Sequence, residues 1–535
     1  MYVKTYGCAL RGIHAIKITI EVSVTRGAIF TIVGLPDTAI KESAERIRSA
    51  VAHTGLEFPR HNVVVNLAPA DVKKEGSAFD LPIALAILAA GDKINVPDLD
   101  KYLIMGELSL DGRLLPIRGA LPIALAARDE GFKAMIVPVE NAHEAAVVQG
   151  IDVFGADSLL AVINFLVDPS TITPTKVDIE AEFRLDHNDY ELDFADVKGQ
   201  PEVRRAFEIA CSGGHNIIMV GPPGSGKSMM AKRLPSIMPP FTLDEALETT
   251  KIHSVAGKLS SGSRLMTIRP FRSPHHTISP VALVGGGSNP MPGEISLAHN
   301  GVLFLDEFPE FNRQVLEVLR QPLEDRTITV SRAKYSVDYP AGFMLVASMN
   351  PCPCGYYTHP TRQCTCQPGA VARYKNRISG PLFDRIDIQV FIEPVDINEL
   401  TNDARGESSA QIRQRVVSAR AIQNARFTSA PGVYTNAQMN SRLLRAYCPL
   451  TPETRQTLTA AVTKFQMSAR AYDRILRVAR TIADLENATS LPSTDAPSYK
   501  AALAAAVNAP IQRHHIAEAI SYRSMDRATW GATLG

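Results

Sequence analysis

Apolar and polar positions alternate in two ways along the chain, and each predicts its own kind of element. Short β-branched runs at 15–24, 28–33, 62–67, 102–105 and 134–137 predict strands. Between them, 38–53, 79–90, 120–130 and 141–149 carry helical periodicity. Asp37 stands where a helix needs an acceptor for its first free amides. Residues 1–168 therefore predict an α/β unit. A polar stretch follows at 169–193, with Pro, Ser and Thr clustered, and predicts a linker. Within 194–397 the runs 216–220, 301–305 and 342–348 are apolar almost throughout, the pattern of parallel strands covered on both faces. From 398 to 526 the pattern turns helical, at 409–427, 436–446, 451–464, 469–485 and 510–522. Residues 527–535 read as a tail, and no internal repeat is found.

Charge and composition narrow the functional classes. The 535 residues include 56 Lys plus Arg and 55 Asp plus Glu, a formal net charge of +1. That excludes a globally basic nucleic-acid coat protein but leaves room for a local basic face. Residues 403–480 hold thirteen basic and four acidic side chains. This local excess fits a phosphate-facing surface, and equally ordinary helix solvation with arginines at subunit contacts. An apolar content of 45% excludes wholesale disorder. Apolar runs such as 81–90 fall short of the ~20 residues needed to cross a bilayer. The first residues lack a secretory pattern. Seven cysteines, four of them clustered, do not form a disulfide framework. The expectation is a soluble cytoplasmic protein without a membrane partner.

One motif carries definite chemistry. Gly221-Pro222-Pro223-Gly224-Ser225-Gly226-Lys227-Ser228 follows an apolar strand and precedes a helical stretch. Glycines at this spacing let consecutive backbone amides turn toward phosphates, while the lysine reaches the outer phosphates. Lys227 is thus expected on the β/γ oxygens of ATP, and Ser228 on Mg²⁺. The run 301–305 ends in Asp306 and Glu307. Asp306 is expected on the metal side of the loop, and Glu307 beside the attacking water. Asn350 ends the next apolar run, placed either to orient water or to form a turn before Pro351. Arg385, in Leu-Phe-Asp-Arg-Ile-Asp387, suits a finger reaching a neighbouring subunit's nucleotide, or a pair with Asp387.

Together these motifs resemble the AAA+ ATPases. Arg269-Pro-Phe-Arg-Ser-Pro-His-His-Thr277, running on through 284–300, interrupts the segment before the Asp-Glu strand, and 327–338 reads as a hairpin before the Asn strand. Both insertions resemble the clade of magnesium-chelatase motor subunits and MCM helicases, with a helix-2 insert and a pre-sensor-1 hairpin. From Tyr6-Gly-Cys-Ala through Val33-Gly-Leu-Pro-Asp37 to His515-Ile-Ala-Glu-Ala-Ile-Ser-Tyr-Arg523, the whole chain resembles the bacterial magnesium-chelatase-like ATPases of the YifB type. The resemblance implies an AAA+ parallel-sheet core, a helical lid, and a Lon-protease-like α/β domain at the N-terminus. It implies a homo-hexameric motor acting on branched or single-stranded DNA without reading sequence. It also implies a branch-migration role in natural transformation or homologous recombination, in company with recombination proteins. Arg470 in the lid looks like the second sensor arginine, with Arg474 one turn on. At the Lon-type catalytic positions, Ala78 falls at the nucleophile and Leu121 at the lysine. A one-residue slip would bring in Ser77, yet 114–132 contains no lysine. A protease-dead scaffold is therefore expected.

The cargo and the cysteines leave alternatives open. Arg332 and Lys334 sit near the hairpin tip, where cations would grip phosphates without reading sequence, or simply be solvated. A protein remodeller docking its partner through the N-terminal domain is a second reading. Against it, the tip offers Ser331-Arg-Ala-Lys334 where an unfoldase presents an aromatic–apolar loop. A chelatase motor subunit is a third, opposed by the N-terminal domain that such subunits are expected to lack. Cys352, Cys354, Cys364 and Cys366 form C-x-C-x9-C-x-C, with His359 between the pairs. Four thiolates suit Zn²⁺. An iron–sulfur cluster, unligated thiols and a redox-sensitive pair fit the same spacing.

Overall fold

The computed structural model describes residues 1–181, 190–259, 265–287, 290–332, 335–357, 359–394 and 406–523. The N-terminal region is built on a seven-stranded mixed sheet. Its order is Phe30–Val33, Asn62–Ala68, His14–Thr25, Tyr2–Arg11, Tyr102–Ile104, Ala134–Pro138, Asp152–Ala156. His14–Thr25 is antiparallel to both its neighbours, and the four strands from Tyr2–Arg11 onward run parallel. The helix Thr38–His53 begins where expected, because the Asp37 carboxylate accepts from the Ile40 amide at 2.9 Å. Asp80–Ala90 is buried along its whole length, consistent with a helix sandwiched in the core rather than lying on it.

Two strands escaped the sequence pattern. Tyr2–Arg11 contains Gly7 and Lys4, and Asp152–Ala156 contains Asp and Gly. Neither alternates cleanly, and both are strands because a neighbour supplies the ladder. The stretch after 168 is less of a linker than its composition implied. The Thr175 amide donates to the Val153 carbonyl at 2.8 Å, and Val177 and Ile179 pack on an apolar cluster.

The second unit is a five-stranded, all-parallel sheet in the order Phe271–Arg272, Val302–Leu305, Met344–Met349, Ile217–Val220, Ile388–Phe391. Its three central strands are buried throughout, as their uninterrupted apolar runs required. The expected hairpin is present as Thr327–Arg332 paired with Tyr335–Pro340. Beyond it, Ser409–Phe427, Pro452–Lys464 and Ala469–Ala488 form the helical lid. The expected helix over 436–446 is two elements, a turn at Asn436–Gln438 and a helix at Ser441–Tyr447. Asn440 divides them, because its side chain accepts from the Arg442 and Leu443 amides and starts the second. The expected 510–522 helix shortens to Arg513–Ser521, and Tyr499–Val507 is an additional helix. The 527–535 tail and the start of the lid at 398–405 lie outside the described residues.

The N-terminal region is seated on the second unit. Leu121 shares an apolar cluster with Phe241 and Leu265. The buried Glu144 carboxylate accepts from the Leu121 amide at 2.8 Å and from the Ser254 hydroxyl. Where the first two strands meet, Gly12 (φ +62°) lies so close to Val337 of the hairpin that a Cβ would come within 2.6 Å of it. Only glycine fits that turn.

Candidate nucleotide site

The phosphate loop leaves the strand Ile217–Val220 at Gly221 and enters the helix Lys227–Arg233. Gly224 and Gly226 hold φ of +77° and +83°, the left-handed conformation that turns successive amides to one side. A Cβ on Gly224 would meet nothing within 4 Å, so the concave face there is open. Lys227 Nζ folds back to donate to the Gly221 and Pro222 carbonyls, each at 2.8 Å, and to Asn350 Oδ1 at 3.3 Å. Burial pushes its pKa down to about 8. A buried ammonium held by neutral oxygens is the partner a triphosphate would complete.

The neighbouring strands deliver the rest. Val302–Leu305 ends at Asp306, whose Oδ2 accepts from Ser228 Oγ at 2.5 Å and whose Oδ1 accepts from Ser348 Oγ. Hydroxyl and carboxylate oxygens side by side are the hard donor set that Mg²⁺ takes, so Ser228 and Asp306 fit the expected ion. Glu307 follows in left-handed backbone (φ 52°), with its Oε2 at 3.3 Å from His276 Nδ1. Asn350 is placed beside the loop because the Gly221 amide donates to the Met349 carbonyl at 3.2 Å. Lys227, Ser228, Asp306, Glu307 and Asn350 are thus gathered at the C-terminal edge of one sheet. That is the ligand edge of a parallel α/β sheet.

Arg385 and Arg470 are not part of this gathering. Asn216, just before the phosphate-loop strand, donates through Nδ2 to the Arg385 carbonyl at 3.2 Å. Arg385 is therefore at the opposite end of that strand, about 13 Å away at ~3.3 Å per residue. There Arg326, Arg385, Arg470, Arg474 and Arg477 line one cavity of about 450 Å³, with Glu324. The pair considered between Arg385 and Asp387 does not form. Arg385 bridges to Glu324, while Asp387 accepts from Arg474. Asp387 is closer in sequence, but its carboxylate also caps the Asn216 amide at 3.0 Å, which turns it inward. Burial opposes ionisation of Asp387, yet Arg474 and His215 hold its carboxyl well below the usual range. Arg474 is thereby occupied, and Arg470 is the exposed member of the set.

The remaining expectations meet mixed outcomes. Some of the thirteen basic residues of 403–480 pair within the chain, while Arg442, Arg445, Arg455, Lys464 and Arg470 are exposed, so both readings stand. Arg415 pairs with Glu208 and Glu407, Arg426 and Arg480 with Asp484, and Arg420 donates to the Cys211 carbonyl. The Arg332 side chain and Lys334 lie outside the described residues. Leu121 is fully buried in apolar contacts where a Lon-type lysine would stand. Lys74, three residues before Ser77, is itself buried and donates to the Gly34 and Pro69 carbonyls. The sulfurs of Cys352, Cys354, Cys364 and Cys366 all lie within 4.8 Å of one another. His359 turns away from them, accepting the Thr361 and Arg362 amides at Nδ1.

Two site residues had no assigned role in the sequence. His276 lies within the quoted insert, but nothing local ties it to an acid 31 positions on. Ser348 is a lone hydroxyl in an apolar strand, and that polar interruption at the ligand edge was its signal.

Known proteins place the chain in a family. A model described as magnesium chelatase, subunit ChlI, matches residues 193–400. One described as the C-terminal part of the same subunit matches 406–497. A third, described as subunit ChlI of Mg-chelatase, matches 20–141. The N-terminal domain thus does not by itself set the chain apart from proteins bearing the chelatase name, contrary to expectation. YifB of Escherichia coli K12 is 41% identical over 522 residues, covering 97% of this chain and 96% of its own. Competence protein ComM of Haemophilus influenzae is 41% identical over 526 residues, covering 98% and 97%. A Lon protease of Chloroflexus aurantiacus is 30% identical over 172 residues, 30% of this chain and 21% of its own. With a phosphate loop, an Asp-Glu strand and an Asn strand end assembled on one sheet edge, and this likeness running end to end, the chain belongs to the YifB/ComM-type magnesium-chelatase-like family of AAA+ proteins.

Proposed function

We propose that the chain is an ATP-driven, ring-forming DNA motor that migrates branches during integration of incoming DNA, in transformation or homologous recombination. The observation that carries the DNA part is the 41% identity, through 98% of the chain, to a protein named for competence. The assembled nucleotide edge supports the motor part.

Bound ATP with Mg²⁺ supplies the phosphoanhydride whose cleavage drives movement. Lys227 neutralises the outer phosphates, and Ser228 and Asp306 hold the ion. Glu307 takes a proton at its carboxylate from the attacking water, and Asn350 orients that water. Arg385 and Arg470, at the far end of the sheet, are out of reach of their own loop. They serve the loop of the next copy in a ring, Arg385 leaving Glu324 to do so. Arg332 and Lys334 are the proposed contacts to the DNA backbone. The N-terminal domain, with Ala78 and Leu121 at the catalytic positions, works as a scaffold rather than a protease. Its contact at Gly12 with Val337 links it to the DNA-facing hairpin.

The test is strand displacement on a forked or three-stranded DNA with purified protein, Lys227→Ala serving as control. Displacement that needs ATP and vanishes in the variant is the expected result. Hydrolysis of ATP with no DNA bound or moved at low salt, where phosphate contacts are strongest, overturns the proposal.

A further inference from the structure

The cysteine cluster does more than satisfy a spacing rule, because it is seated on the phosphate loop. Among the described residues no cysteine is in a disulfide. The Cys352–Cys354, Cys354–Cys364 and Cys352–Cys364 sulfurs are 3.3, 3.5 and 3.8 Å apart. A tetrahedral Zn²⁺ with Zn–S bonds of about 2.3 Å sets its sulfurs about 3.8 Å apart. Three thiols already stand at that spacing and the fourth, Cys366, lies within 4.8 Å of each, so little movement is needed to close on an ion. A backbone amide is already aimed at them. Tyr357 N–H donates to Cys352 Sγ at 3.3 Å. Such an N–H···S bond is an outer partner that favours thiolate and fixes ligand direction. Cations stand on the neighbouring tyrosines: Arg362 donates to the Tyr356 hydroxyl at 2.8 Å, and Lys375, ending the helix Ala370–Lys375, lies 5.6 Å over the Tyr357 ring.

The cluster's position gives it a task. Cys352 comes two residues after Asn350, which touches Lys227. The turn that opens at Cys352 ends on Gly355, just past Cys354 and at φ +85°, and its missing Cβ would meet Pro223 of the phosphate loop at 2.6 Å. The loop and the knuckle are therefore in contact at one proline–glycine step. Four sulfurs held by one ion would make this contact rigid; four free thiols would leave it to weak packing.

We propose that Cys352, Cys354, Cys364 and Cys366 bind one structural Zn²⁺ as a closed tetrathiolate, and that this knuckle clamps the phosphate loop at Pro223 and Asn350 in its nucleotide-binding shape. Binding releases the thiol protons to solvent and involves no change of oxidation state. The site has no open position, so the metal is a brace and not a catalyst.

Metal analysis of the full-length protein tests the first half, with one zinc per chain expected. Replacement by Co²⁺ in the unmutated protein should give the visible d–d bands of a tetrahedral thiolate site. Cys354→Ser with Cys366→Ser should lose the zinc. Zinc-stripped protein should bind a fluorescent ATP analogue at least about tenfold more weakly, the lower end of what outer-shell support of a metal site carries. Gly355→Ala separates the two halves, because its Cβ meets Pro223 while all four sulfur ligands are kept, and zinc content read beside affinity shows whether the site itself survives. Zinc retained with weakened nucleotide binding is expected there. Iron with a broad absorption near 400 nm, or protein that takes up neither zinc nor cobalt, overturns the site. Full nucleotide affinity in both stripped protein and Gly355→Ala overturns the clamp.

Discussion

His276 Nδ1 stands 3.3 Å from Glu307 Oε2, joining the insert before the Asp-Glu strand to the acid at that strand's end. The ring is itself held, tilted against His275 at 4.1 Å and edge-on to Phe311 at 6.4 Å. Glu307 occupies left-handed backbone, a conformation that costs a non-glycine residue of order 1–2 kcal/mol. Its amide donates to Asp306 Oδ1 at 3.0 Å, which helps to hold it there. The acid is thus pointed by the insert rather than by its own strand. Glu307→Gln should lower the hydrolysis rate by about a hundredfold or more, with nucleotide affinity retained. His276→Ala should release the acid and raise basal hydrolysis. An exposed pair is worth at most ~1 kcal/mol, so the rise should not exceed about fivefold. Steady-state kinetics beside nucleotide titration check both, and an unchanged rate in Glu307→Gln removes the acid from the chemistry.

Lys227 makes nucleotide binding pH-dependent. In the free protein burial brings its pKa down to about 8, so the amine loses its proton as pH rises past that value. Phosphate oxygens favour the charged form and raise the pKa on binding. Binding above pH ~8 must therefore take up a proton, and affinity must fall as pH rises, by up to tenfold per pH unit. Titration calorimetry in buffers of different ionisation enthalpy should show proton uptake near pH 8.5 and little near pH 6.5. Lys227→Arg should lack this dependence.

The distance between Arg385 and its own phosphate loop turns ring assembly into a mixing experiment. Arg385→Ala alone should lose about a thousandfold in hydrolysis, the lower range for an arginine supplied in trans, with nucleotide binding intact. Lys227→Ala alone should also be inactive. Mixed together they should recover activity, because an Arg385→Ala copy keeps its loop and a Lys227→Ala neighbour supplies the arginine. No recovery on mixing would place the arginine's action within one chain.

Elements held by local chemistry were legible in the sequence. Thr38–His53 follows from Asp37 and the spacing of its apolar face, and the phosphate loop from its glycines and lysine. The strand ends at Asp306 and Asn350 are legible because a buried parallel strand is apolar until it reaches its ligand edge. Contacts between distant segments were not. Arg385 and Glu324 are 61 residues apart, and no local pattern says that this carboxylate outcompetes Asp387 two positions away. For a related reason the charge of 403–480 left two readings open. Composition counts arginines but does not show that Arg426 and Arg480 turn inward onto one aspartate.

That aspartate carries the last prediction. Asp484 and Arg426 are both fully buried, joined by two hydrogen bonds of 2.7 and 2.6 Å. Arg480 Nε adds a third at 3.1 Å, and Asn436 Nδ2 a fourth at 2.8 Å. One carboxylate thus answers two buried guanidinium groups and ties Ser409–Phe427 to Ala469–Ala488. Asp484→Asn preserves the shape but strands both cations away from water, a change that costs about 3–5 kcal/mol for a buried pair. The chain builds on separate sheets with separate apolar clusters, so a single unfolding midpoint is the wrong observable. Amide exchange in the two helices is the right one, and it should quicken about a hundredfold to several thousandfold. Exchange in Tyr2–Arg11 should not change, because the N-terminal sheet has its own core. Equal quickening everywhere would mean that the lid and the rest of the chain unfold as one unit.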